Sequence, residues 1–440
     1  VKNKTNRTAL IFAYYWPPAS GPGVQRWLKF VKFLPEFGWD AIVVTPEHGS
    51  YPSTDPSLVQ DVPSDTQVFK TNTLEPFRLF NILSGQANKG KATSVGMGDI
   101  KGSQSFIKKA GAYVRANFFV PDARKGWGRF AIKEGSKIIE QNDIDLIVTT
   151  GPPHSAHLIG LELHKKFGTP WVSDLRDPWT NIYYNKFLPR SKPTIKKDLK
   201  LETTVLETSS AVTTVSNGMK VEFEDRARKV RIIPNGYDEE DFPESYHPDK
   251  DSAFRLSYIG NLKVNQNCKE LWEAISELAD EIDGFQENFI LSFTGNVHSE
   301  IIDTLKETGI DRMLENLAFV EHKEAVKRMI DADSLLFLIP DSPNNEQIIT
   351  GKIFEYLASR TPLLSIGPSG GDAATILAGC ERKPMIDYHQ KGSIKEELRA
   401  QFLNWRESTE KIRISGNQHI KFSRRKLTEE LVTLFDSIIP

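Results

Sequence analysis

Short apolar runs rich in β-branched and aromatic residues alternate along this chain with longer stretches whose apolar positions recur every three or four residues. The runs "ALIFAYY", "AIVVT", "TQVFK", "LIVTT", "WVSDL", "AVTTV" and "VRIIP" predict the strands of one sheet, with helices beginning near Gly23, Arg129, Ser155, Lys197 and Ser216. A second series repeats the scheme through "RLSYIGN", "FILSFTG", "LAFVEH", "SLLFLIP", "PLLSIGP" and "KPMIDY". Alternation of this kind is the pattern of an α/β protein whose parallel sheets are joined by crossover helices.

Between the two series lies "PNGYDEEDFPESYHPDKDSAFR", without period and rich in Pro, Asp, Glu and Tyr. It reads as a linker, and the expected division is 1–250 for the first domain and 251–420 for the second. Two such doubly wound sheets are expected to face each other across a cleft, and ligands of these sheets bind in loops beyond the strands' carboxyl ends. Residues 75–128 break the rhythm with "SGQANKGKATSVGMGDIKGSQS", expected to be mobile, and then "FIKKAGAYVRANFFV". That amphipathic run either packs on its own domain or dips Phe106, Ile107, Tyr113, Val114 and Phe118 into a membrane interface, with Lys108, Lys109 and Arg115 on lipid phosphates.

The chain has 440 residues, more than one core usually organises, which agrees with two domains. Lysine plus arginine (56) nearly balance aspartate plus glutamate (58), so no global field favours nucleic acid and any charge preference is local. Cys268 and Cys380 are the only cysteines, far apart and without Cys or His at ligand spacing, which argues against a disulfide framework or a zinc site. No apolar run reaches the roughly 20 residues of a spanning helix, and the expected location is the cytoplasm, with peripheral membrane contact as an option. Asp143-Ile-Asp145 and Asp331-Ala-Asp333 imitate a metal-binding D-x-D, but each directly precedes a predicted buried strand. No metal and no cofactor are expected.

Candidate chemistry lies after the strands. "SGPGVQR" misses G-x-G-x-x-G at its third position, where Arg26 stands, so the dinucleotide reading is weak. What remains is a glycine-rich entry into a helix, through Gly21 and Gly23, able to hold an anion or simply to turn the chain. "WVSDLRDPWT" presents Asp174, Arg176, Asp177 and Trp179, either for proton transfer and hydroxyl binding or as a local ion pair. "TGPPHSAH" sets His154 and His157 at a strand-to-helix turn, one of them a structural residue.

"QIITGKIFEYLASRTPLLSIGP" is more specific, with Gly351 and Lys352 at a helix start and Glu355 one turn later. Together with "YWPPASGPGVQR", "DLIVTTGPPHSAH", "PWVSDLRDPW", "TVSNGM", "RIIPNGYDEEDF", "YIGNL" and "FSRRKLTEELVTLFDSI", it resembles the retaining nucleotide-sugar glycosyltransferases of family 4. The resemblance covers nearly all of the chain except 75–128. It implies the GT-B fold of two facing Rossmann-like domains: an acceptor-side N-terminal domain, a donor-binding C-terminal domain, and a helix over 421–440 packing back on the first. Glu355 is then expected on the nucleotide ribose, and Gly351 and Lys352 on the donor diphosphate. Gly21 and Gly23 would close over the same phosphates, Asn235 and Gly236 would form the hinge, and Gly260 the first strand-end turn.

Several positions depart from the family pattern. Asn261 and Gln266 stand where an arginine and a lysine are usual, and Gln347 where the first of two glutamates is usual. Each missing cation removes charge-assisted bonds of about 1.5–3 kcal/mol, so Arg26, Lys263 and Lys352 are the expected replacements. Asp174, Asp177 and His154 are the residues expected near the reacting sugar. The implied partners are a nucleotide sugar and a glycan or lipid-linked acceptor, as in polysaccharide biosynthesis. The alternatives are a GT-B protein that binds nucleotide sugars without transferring them, a nucleotide-sugar 2-epimerase and, more remotely, a nicotinamide dehydrogenase.

Overall fold

Strand β1 (Arg7–Phe12) shows how the first sheet is built. Its residues alternate between two cores: Ala9 and Ile11 face one, Leu10 and Phe12 the other. Helices cover both faces, so the strand is an unbroken apolar run rather than an alternating one. The computed structural model describes residues 6–74, 113–114, 116–243, 246 and 248–439. Phe106, Ile107, Lys108, Lys109 and Arg115 lie outside them, as does most of the segment expected to be mobile.

The chain forms two units, one of residues 1–235 with 424–440 and the other of residues 236–423. The first unit's described strands continue with β2 (Trp39–Pro46), β3 (Gln67–Thr71), β4 (Leu146–Gly151), β5 (Trp171–Leu175), β6 (Ala211–Thr214) and β7 (Val230–Ile232). They make a seven-stranded parallel sheet in the order β3-β2-β1-β4-β5-β6-β7. Its helices are α1 (Pro22–Phe33), α2 (Gly128–Gln141), α3 (Ser155–Phe167), α4 (Lys192–Thr208) and α5 (Asn217–Phe223). Helix α4 starts before the expected Lys197 because the Ser191 hydroxyl accepts from the Thr194 N–H and Pro193 sits in the first turn.

The second unit contains β8 (Phe254–Ile259), β9 (Phe289–Thr294), β10 (Leu314–Leu317), β11 (Ser334–Leu338) and β12 (Leu363–Ile366). These pair in parallel as β10-β9-β8-β11-β12. Around them lie α6 (Lys269–Glu281), α7 (Ser299–Glu307), α8 (His322–Asp331), α9 (Lys352–Ala358), α10 (Asp372–Ala378) and α11 (Lys391–Glu407). Two expected strands differ. The strand read in "LAFVEH" falls earlier, at Leu314–Leu317, and Phe319 points to solvent. "KPMIDY" contributes only one bridge, Ile386 to Ile366.

The last helix, α12 (Arg424–Asp436), belongs to the first unit. Its Leu427, Leu431, Leu434 and Phe435 enter the same core as Trp27 and Phe30 of α1, and the Phe435 ring meets the edge of Trp39. Burying each such side chain contributes roughly 1.5–3 kcal/mol.

Candidate functional site

In the first unit the strand order reverses between β1 and β4, so the loops beyond these two strands diverge and open a crevice at the sheet's carboxyl edge. The loop after β1 brings in Gly21 with φ of 121°, a conformation that favours glycine, and enters α1 without a side-chain cap. Gly23 has a steric reason to be glycine. A Cβ there would lie 1.9 Å from Nη1 of Arg176.

Arg176 follows β5, and its Nε donates to the Thr150 hydroxyl at 3.2 Å while Nη2 donates to the Pro152 carbonyl at 2.9 Å. Burial lowers its pKa from the ordinary arginine value, opposed by the nearby charges of Asp174 and Asp177. Asp177 itself is exposed. The guanidinium is thus held against the glycine-rich start of α1, so Arg176 is the cation the first unit presents there.

Arg26 is not. It is fully buried, with Nη2 donating to Asp174 Oδ1 at 2.9 Å and Nη1 to the carbonyls of Ile233 and Pro234 at 2.7 and 2.8 Å. Asp174 also accepts from Trp27 Nε1 at 2.7 Å and from the hydroxyls of Thr150 and Thr213, each at 2.8 Å. Burial alone would raise its carboxyl; Arg26, then Arg176 and the Trp27 bond, outweigh this and hold it at about 2. Two expectations are corrected here. Arg26 has no donor facing a phosphate, and the Asp174 oxygens are already occupied inside the protein.

His154 and His157 differ in burial and in partners. His157 is fully buried, its Nδ1 2.9 Å from the Thr149 hydroxyl, which also receives Trp171 Nε1 at 2.9 Å. His154 stacks on Trp179 with centroids 4.9 Å apart and planes within 8°. Burial holds His157 at about 3 and pushes His154 well below its ordinary value, helped there by His157 and Arg176, so both rings are neutral near pH 7. A Cβ on Gly151 would lie 2.5 Å from His157 Nε2 and 3.1 Å from His154 Nδ1.

The second sheet reverses between β8 and β11. Gly260 and Gly295 end β8 and β9 with φ of 119° and 125°, and a Cβ on Gly295 would meet the Gly260 carbonyl at 2.6 Å. The two strand ends therefore turn in step, with Asn296 Nδ2 donating to the exposed Asn261 at 3.1 Å.

Lys352, at the start of α9, crosses directly over Gly260, where a Cβ would lie 2.6 Å from its Cε. Its Nζ donates to the Tyr258 hydroxyl at 2.6 Å and sits 4.1 Å from that ring's centre. Burial brings Lys352 down to about 8; Glu355 opposes the shift and the charge of Lys263 adds to it. Gly351 has open space where a Cβ would be. Glu355, one turn along α9 and partly exposed, has Oε1 4.0 Å from His322 Nε2, which lies 3.1 Å from Asp241 Oδ2.

Gln266 is buried, donating to the Leu338 carbonyl at 2.9 Å and accepting from the Lys263 N–H at 3.2 Å. This residue ties the loop after β8 to the end of β11. Gln347 is exposed on the short turn Asn345–Gln347. The D-x-D aspartates staple strand starts: Asp145 accepts from the Thr8 N–H at 2.7 Å and Asp333 from the Arg255 N–H at 2.9 Å. Sequence reasoning missed Tyr258, His322 and Gly295; the repeat of Gly-Asn in "YIGN" and "FTGN" was a readable signal for the last.

Residues 82–241 match the model of Glycosyltransferase Family 4. Among solved structures, the chain is similar to sucrose-phosphate synthase from Thermosynechococcus elongatus, at 11% identity and a TM-score of 0.61 over 98% of this chain and 99% of that one. It is similar to trehalose-6-phosphate synthase OtsA, at 12% identity and 0.62 over 99% and 100%. A mutant of S. aureus TarM in complex with Fondaparinux, α-GlcNAc-glycerol and UDP matches at 10% identity and 0.58 over 98% and 100%. No curated protein matches the sequence. At these identities the likeness establishes the fold, which is GT-B.

Proposed function

We propose that this GT-B protein, with its Glycosyltransferase Family 4 segment at residues 82–241, transfers a sugar from a nucleoside-diphosphate sugar to a glycan or lipid-linked acceptor. The observation that carries the reading is Lys352 held across the Gly260 turn with its Nζ on the Tyr258 hydroxyl, and the Glu355 carboxylate one helical turn away. An anion bound beside Lys352 would favour the charged form that burial disfavours. A carboxylate nearby suits a diol such as a ribose, whose two hydroxyls it can accept together.

In such a transfer the bond from the sugar to the diphosphate breaks, and negative charge grows on the leaving phosphate. Lys352, partly desolvated, is worth more against that charge than a lysine in water, and it needs no rearrangement at the moment of reaction. On the first unit, Arg176 with Gly21 and Gly23 offers a second anion-binding edge, and neutral His154 with exposed Asp177 offers groups for an acceptor hydroxyl. Retention of configuration and independence of metal belong to this reading as family implications.

The test is to incubate the protein with a panel of nucleotide sugars, following binding by thermal shift and transfer by release of nucleoside diphosphate in the presence of glycan and lipid-linked acceptors. One donor should stabilise the fold, and Glu355→Ala should abolish that stabilisation. The second reading, binding without transfer, is favoured by Asn261 and the buried Gln266, two positions where the family pattern has cations, and by Gln347. Tight donor binding with no turnover against any acceptor would establish it. Isomerisation of the donor without acceptor would indicate an epimerase instead.

A further inference from the structure

The first unit carries a surface that the transfer chemistry leaves unused. In α4, Ile195 and Leu199 are one turn apart and both exposed, flanking the buried side formed by Thr194, Asp198, Glu202 and Val205. The segment leading into the helix adds Phe187, 63% exposed, and Leu188. A second strand of chain lies against it. Asn117 Nδ2 donates to the Pro189 carbonyl at 2.8 Å, and Asn117 Oδ1 accepts from the Ser191 N–H and the Thr194 hydroxyl, each at 2.8 Å. This fixes Phe118, 66% exposed, beside the start of α4. A soluble surface rarely gathers five large apolar side chains in one place without a partner for them.

Charge identifies the partner. Lys186, Lys192, Lys196, Lys197 and Lys200 are all exposed on the same stretch. The one acid between Ile182 and Leu201 is Asp198, buried and paired with Arg190 at 2.7 Å. Burial and then the charge of Lys197 lower the pKa of Lys125, whose Nζ donates to the Phe118 carbonyl, while Asp122 opposes the shift. Lysines interleaved with exposed aliphatic and aromatic side chains match a bilayer surface, where the apolar groups enter the acyl boundary and the ammonium groups meet lipid phosphates. Nucleic acid would use the lysines and leave Ile195, Leu199 and Leu188 in water.

We propose that the exposed face of α4, with Phe187, Leu188 and Phe118 at its edge, docks this protein on an anionic lipid surface. The inference stands apart from the transferase reading, since docking requires neither donor nor turnover. Of the run expected at a membrane, Phe118 belongs to this face, and Phe106, Ile107, Lys108, Lys109 and Arg115 lie outside the described residues.

The test is co-sedimentation of the full chain with vesicles of phosphatidylcholine alone and of phosphatidylcholine with phosphatidylglycerol, at low and high salt. Binding is expected only with the anionic vesicles, weakening as salt rises. The variant K192E/K196E/K200E should lose at least about a hundredfold in partitioning, from roughly fivefold per lysine near the surface. The variant I195S/L199S should weaken binding at both salt concentrations while keeping the wild-type melting temperature. Equal sedimentation with neutral vesicles, or full binding by the charge-reversed variant, would overturn the proposal. So would a lowered melting temperature in I195S/L199S, which would mean that the protein's own chain covers this face. Competition by single-stranded RNA without any vesicle binding would assign the lysines to nucleic acid and overturn it as well.

Discussion

Arg26 and Asp174 face each other at 2.9 Å with neither side chain exposed, joining α1 to β5 in the core of the first unit. The pair satisfies itself: the guanidinium also caps two carbonyls, and the carboxylate accepts from two hydroxyls and an indole. At the place where a dinucleotide fingerprint uses glycine to let helix and strand touch, this chain spans the gap with an ion pair.

Removing one partner leaves a buried charge uncompensated, which costs about 3–5 kcal/mol. Asp174→Asn is therefore expected to lower unfolding free energy by that order in a urea titration. The pair also has a pH signature. Asp174 is held at about 2, below its ordinary 3.8, so its stabilisation is complete above about 4 and is lost as pH falls toward 2. The variant should show a flatter acid limb than the wild type.

Gly23→Ala separates site from fold. Alanine is a better helix residue than glycine by up to ~1 kcal/mol, so the melting temperature should hold. The added Cβ falls on the Arg176 guanidinium and must displace it. Transfer measured as kcat/KM is expected to drop by about a hundredfold, the cost of misplacing a positioning group by an ångström. Unchanged activity would remove Arg176 from the site.

Lys352 makes nucleotide binding depend on pH. Its ammonium is charged below about 8 and neutral above, and a diphosphate favours the charged form. Affinity for UDP, measured by calorimetry, should be greatest below 8 and fall as pH rises through it; Lys352→Met should bind weakly at every pH. The same shift stabilises the unliganded fold as pH rises from about 8 toward 10.5, because the unfolded chain keeps the proton longer.

Histidine titration gives a further check. Imidazole resonances of His157 should stay those of a neutral ring from pH 5 to 8, the window in which an ordinary histidine changes charge, and His154 should titrate below an ordinary histidine. His157 sits at about 3 against 6.5 in the unfolded chain, so its contribution to stability is lost as pH falls below about 6.5. An activity profile with a limb set by either ring would contradict this placement.

Much of the architecture was legible because hydrophobic period is a local property. The seven strands of the first sheet, and β8, β9, β11 and β12 of the second, lie where apolar runs predicted them. "KPMIDY" failed because Pro384 has no N–H to give a ladder, and "LAFVEH" because the turn Asp311–Met313 sets the register and starts pairing at Leu314.

The sequence by itself determined which residue types reach the strand ends: Gly21 and Gly23, the "TGPPH" turn, "YIGN", and Gly351-Lys352 with Glu355. Strand ends and turns are written in neighbouring residues, so a local reading finds them. Only the tertiary structure decided which charges remain available there. Arg26 and Arg176 look alike in sequence, but helical rotation turns the first into the core against Asp174, while the missing Cβ of Gly23 admits the second to the surface. Likewise Gln266 and Lys352 exchanged importance once Gly260 let a lysine from a distant helix cross the turn. A side chain's partners depend on where other strands lie, and that is settled by packing across long sequence distances.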